Sequence, residues 1–83
     1  MDNIYERQKR AILSLPESMD GKPIVWIVYN NDMVKGTMKL IAELRGEEFL
    51  SKIKVVSKMN SSRYNGRIYF DPVLLDLLGN GNG

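Results

Sequence analysis

The chain has no histidine and no cysteine among its 83 residues. The first absence removes the side chain that most often moves protons near neutral pH. The second removes the thiol nucleophile, the disulfide staple and the thiolate zinc ligand together. Proline is scarce, at positions 16, 23 and 72. No apolar run approaches the roughly 20 residues of a membrane span, and the opening Met-Asp-Asn-Ile-Tyr-Glu-Arg lacks the basic-then-apolar order of a signal peptide. These features lead to the expectation of a soluble, cytoplasmic protein with no membrane partner. With 12 basic and 10 acidic residues the formal charge is only +2, too small by itself to announce a nucleic-acid binder. A chain this short forms one domain over residues 1–79, followed by an Asn-Gly-Asn-Gly tail at 80–83 that has nothing to bury. Its core is modest, so a homodimer or a partner-bound state is a natural way to add burial.

What is present is organised around residues 24–30, Ile-Val-Trp-Ile-Val-Tyr-Asn. Consecutive apolar residues, mostly β-branched or aromatic, do not alternate and are too few for an ordinary helix. They predict a central strand buried on both faces. Before it, residues 3–15 place Ile4, Tyr5, Ala11, Ile12 and Leu15 at helical spacing, with Asp2 or Asn3 as cap and Pro16 as stop. Asp20-Gly21 marks a turn in the connector. After the strand, Asn31 or Asp32 can cap a helix that begins near Met33, with Val34, Met38, Ile41 and Leu44 or Arg45 facing the core. Gly36 inside that helix implies close backbone packing or a late start, Gly46 breaks the helix, and Glu47-Glu48-Phe49-Leu50 can add a further turn.

Residues 53–57, Ile-Lys-Val-Val-Ser, read as a second strand, parallel to the first through the helical crossover. Residues 58–66 form a polar loop ending in Asn65-Gly66, a turn signal, and lead to a third strand at 67–70. Nine residues are short for a parallel crossover and comfortable for an antiparallel return, so the third strand's direction stays open. Asp71-Pro72 supplies a cap and first helical position for a short closing helix. The predicted fold is therefore α/β: a small three-stranded, mostly parallel sheet built on a βαβ core, with N-terminal, crossover and short C-terminal helices.

The run from Gly21 through Asn30, the following helix, residues 53–57 and Ile68-Tyr69-Phe70-Asp71 resemble part of a RecA-like P-loop ATPase of the helicase type. In that family an acidic residue at a strand end holds the magnesium-water shell, and Asp71 is the matching position. The likeness departs from the family at the phosphate loop, because no Gly-x-x-x-x-Gly-Lys-Ser/Thr occurs in the chain. A helix cap also accounts for an aspartate before Pro72. In general look, a compact charged chain with a trimmed α/β core, the protein is also similar to small accessory proteins of bacteriophages. That likeness implies binding and modulating or inhibiting a host protein.

No catalytic constellation is legible. Glu47 and Glu48 are adjacent and diverge on a helix, and Ser61-Ser62 lack a nucleophile-elbow context. The expectation is a non-enzymatic protein with no cofactor and no metal site. The most informative imbalance lies between Glu48 and Asp71, where Lys52, Lys54, Lys58, Arg63 and Arg67 occur with no acidic residue among them and with Tyr64 and Tyr69 interleaved. If the first two strands are parallel, Asn30, Asn31 and the 58–66 loop emerge at one carboxyl edge, where open α/β sheets bind ligands. The candidate partner-binding residues are accordingly Lys54, Lys58, Arg63, Tyr64, Arg67, Asn30 and Asn31. Arginine grips phosphate or carboxylate alike, and tyrosine stacks on a base or anchors an interface. The leading expectation is a host or cellular protein partner, with an acidic surface one form of it; the alternative is nucleic acid bound by the basic 52–67 segment. Basic groups that merely keep an edge strand from pairing would give the same pattern.

Overall fold

The computed structural model describes residues 3–17 and 21–79. Asp2, Asp20 of the expected turn and the expected tail at 80–83 lie outside them. The order is α1 (Ile4–Leu13), β1 (Ile24–Val28), α2 (Asp32–Arg45), α3 (Glu47–Leu50), β2 (Ile53–Ser57), a 3-10 turn at Ser61–Arg63, β3 (Arg67–Phe70) and α4 (Pro72–Gly79). The sheet is parallel throughout, in the order β2-β1-β3. Every residue of β1 is buried, as its unbroken apolar run predicts.

The third strand's direction follows from how short the strands are. From Ser57 the chain must return along a five-residue strand and step past β1 to reach Arg67 beside Ile24. That path spans about 17 Å along and two strand spacings of about 4.8 Å across. Nine residues reach roughly 30 Å when extended, so a helix-free loop suffices. The loop spends its first six residues on a turn at 58–60 and the 3-10 turn, then extends at Tyr64, with φ −120° and ψ 136°. At its end the Arg67 amide donates to the Pro23 carbonyl. Gly66 has φ +155°, and a Cβ there would collide with that same carbonyl. The Asn65-Gly66 signal thus marks a close approach of two backbones, not a hairpin.

Alternation along β1 divides the core in two. Ile24, Trp26 and Val28 face α1, α2 and α3, and pack with Ile12, Leu15, Ile41, Phe49 and Ile53. Val25 and Ile27 face the other way and join Val56 and Leu74 of α4 in a smaller cluster. Three helices thus serve the first face, while the second has only one short helix, α4, in its cluster. Ile68 and Phe70, in register with Val25 and Ile27, are left 43% and 53% exposed there.

The helix ends explain themselves locally. Asn3 Oδ1 accepts from the Glu6 amide at 2.9 Å, capping α1. At α2 the side chain that accepts is that of Asn30, one residue earlier than expected: its Oδ1 takes the Met33 amide at 3.2 Å, whereas Asn31 makes no such bond. The buried stripe of α2 also differs from expectation. Thr37 and Ile41 are buried and Met38 is exposed, because the stripe runs through Thr37. Gly36 is exposed, with open space where its Cβ would stand, so neither close packing nor a late start explains it. Gly46 breaks the helix at φ +91° and α3 follows as the further turn.

Candidate functional site

The site is built where β1 and β2 end. Lys58 donates its amide to the Val28 carbonyl at 2.8 Å, closing the ladder between the two strands. Parallel pairing then turns the backbone groups of Lys54, Val56 and Lys58 toward β1, and those of Val55 and Ser57 toward the outer edge. Beside that edge lies an open groove of about 340 Å³ lined by Asn31, Val34 and Lys35 of the β1-to-α2 corner, Val55, Val56 and Ser57 of β2, and Asn60 and Tyr64 of the crossover. Asn60 is fixed over the strand end, its amide donating to the Ser57 carbonyl at 3.0 Å and its side-chain nitrogen to Ser57 Oγ at 3.3 Å. The groove therefore has valines as apolar groups, amides and a hydroxyl as hydrogen-bonding groups, and Lys35 as its cation.

The candidate residues distribute unevenly around this groove. Asn31 and Tyr64 line it. Lys58 stands next to it, its Nζ 4.8 Å from the centre of the Tyr29 ring. Asn30 is adjacent but its side-chain oxygen is engaged in capping α2. Arg63 is exposed on the crossover, and Lys54 is exposed near the amino end of β2, opposite Val25. Arg67 starts β3 beside Ile24, on the far strand and at the amino edge. The fold thus separates the basic residues that the sequence places in one stretch. Lys35 was missed, although Asn31 and Lys35 stand four apart, on one face of a helix turn.

Asp71, the position matched to a metal-holding acid, faces inward. It is fully buried, with Oδ2 accepting from Trp26 Nε1 and Gln8 Nε2, each at 2.8 Å, and Oδ1 accepting from the Val73 amide at 2.7 Å. The last of these bonds is the helix cap that Asp71-Pro72 predicts. Among the described residues no group of three or more acidic, histidine or cysteine side chains is arranged to hold a metal ion, and no helix is long and apolar enough to cross a membrane.

A second surface of different character lies on the weaker face. Ile68 and Phe70 are half-exposed there, and α4, which follows β3, leaves Leu75, Leu77 and Leu78 between 47% and 56% exposed. No protein-family model, no curated protein and no solved structure matches the chain.

Proposed function

We propose that this protein is a non-enzymatic binding module that engages another protein through the groove at the outer edge of β2. The observation that carries this reading is the groove's make-up: valines, Lys35 and Tyr64 together in its lining. Such a surface fits an acidic protein segment, which brings carboxylates to Lys35 and the nearby Lys58 and apolar side chains to Val34 and Val55. Tyrosine is a residue type enriched at interface hot spots. The dispersal of the other basic groups favours a protein over nucleic acid, because a duplex or single strand needs cations aligned along its phosphates. Binding that modulates or inhibits the partner, as in a phage-type accessory protein acting on a host protein, is the function consistent with a chain that lacks histidine and cysteine.

The test is recovery of partners on the tagged protein from nuclease-treated lysate of its native cells, with wild type, Tyr64→Ala and Lys35→Glu side by side. Both substituted residues are exposed, and circular dichroism checks that each variant is folded. The expected result is one protein recovered with wild type and lost with both variants, and rebinding of that purified protein weakened at least roughly tenfold. Recovery that disappears on nuclease treatment, or that neither variant alters, would overturn the reading.

A further inference from the structure

We propose that two copies of this chain join through β3, edge to edge and antiparallel, making one six-stranded sheet. The Arg67 and Asp71 amides donate to Pro23 and Ile27 of β1, so strand alternation aims the backbone N–H and C=O groups of Ile68 and Phe70 away from the sheet. Among the described residues β1 is the one element against which β3 packs extensively, and Ile68 and Phe70 remain 43% and 53% exposed. A two-fold axis at Tyr69 sets Ile68 opposite the partner's Phe70 and Phe70 opposite the partner's Ile68. Each facing pair exchanges two hydrogen bonds, and both side chains of each pair fall on the same face. An isologous contact of this kind requires a self-complementary patch, and alternating Ile68 and Phe70 about Tyr69 is one.

The two edges of the sheet differ in the way that selects this one. β2 carries the exposed Lys54 as its second residue, a charge within the strand that obstructs pairing by another strand. Within β3 the side chains pointing out on the second face are apolar and half-exposed, and the strand's one charge, Arg67, stands at its start on the opposite face. The helix that follows the strand also exposes apolar side chains. Phe70 is in register with Ile27, which shares a buried cluster with Leu74, and α4 exposes Leu75, Leu77 and Leu78. Ile68 and Phe70 contribute part of the roughly 800 Å² that each partner gives to a standard interface. Strand pairing and the helix flanks supply the remainder. The β2 groove stays at the outer end of the sheet in each copy, so the dimer would present two grooves.

Light scattering on the full chain over a concentration series, combined with amide hydrogen exchange, tests the proposal. Dimer mass is expected at about 0.1 mM, with exchange at the Ile68 and Phe70 amides slowing as concentration rises. Phe70→Lys is expected to raise the dissociation constant at least roughly tenfold, and Lys54→Ala at the other edge to leave it unchanged. Unaltered Trp26 emission and circular dichroism check that Phe70→Lys is folded, and Ile68→Lys serves as the second variant. A monomer up to about 0.5 mM, a dimer indifferent to both β3 variants, or a dimer whose Ile68 and Phe70 amides exchange as in the monomer would overturn it.

Discussion

Asp71 concentrates more long-range bonding than any composition argument could assign to one carboxylate. Its two oxygens hold the Trp26 indole and the Gln8 amide from α1 and also start α4, joining three segments far apart in sequence. Removing the carboxylate strands the Trp26 N–H and the Gln8 amide without partners in a buried place, which costs more than the bonds themselves contribute. Asp71→Ala should therefore lower unfolding free energy by about 3 kcal/mol in a urea titration, and Asp71→Asn by less, since an amide keeps one acceptor oxygen. A loss below about 1 kcal/mol for alanine would mean that water replaces the carboxylate. Arg45 does comparable work at the other end of α1. Its Nη1 donates to the carbonyls of Ile12, Leu13 and Leu15 at 2.8, 3.2 and 2.9 Å, and its guanidinium lies 3.8 Å over the Phe49 ring. A planar fork is needed for both tasks at once. Arg45→Ala is expected to cost about 2 kcal/mol, and Arg45→Lys to recover less than half of it. From the sequence Arg45 was one of two options for a helix stripe, and nothing in its neighbours announced carbonyls some 30 residues away.

Single elements were legible where one local signal dominates. The uninterrupted apolar run gave β1, Asn3 and Pro16 bracketed α1, and Asp71-Pro72 fixed the start of α4. Where two registers fit the same pattern, the pattern chose by hydrophobicity and placed Met38 inside in preference to Thr37. The fold buries Thr37 because the helix axis over the sheet decides which stripe faces inward. Gly36 is the other misreading, and it yields a clean expectation. With open space at its Cβ position and ordinary helical backbone, Gly36→Ala should stabilise the protein by about 1 kcal/mol. Loss of stability in the same urea assay would show that this turn of α2 requires glycine for a reason other than packing. Gly66 behaves oppositely. Its φ of +155° and the Pro23 carbonyl beside it make Gly66→Ala costly by at least about 2 kcal/mol, a result that would tie the parallel placement of β3 to this one backbone contact.

At the scale of the whole molecule less of the candidate groove than of the fold was legible in the sequence, and the reason is geometric. Strands of four or five residues let a stretch of about fifteen positions travel from one edge of the sheet to the other, so Lys54, Lys58 and Arg67 are neighbours in sequence and dispersed in space. Proximity along the chain overstated a single basic patch, and the groove that does form draws on Lys35 from a different segment. The same short strands leave the two faces unequally covered, with β1 the one strand buried throughout. β1 contributes to both clusters and pairs with both edge strands, so no part of the core can open without it, and Trp26 emission and circular dichroism should report one coincident unfolding transition. If β3 edges pair as proposed, that transition is linked to association, and mass action makes stability depend on protein concentration. The melting temperature of the wild type should then rise as concentration is raised a hundredfold, while that of Phe70→Lys stays flat. A wild type whose melting temperature does not move would mean that the exposed Phe70 and the leucines of α4 face solvent, and that the chain folds on the burial within one copy alone.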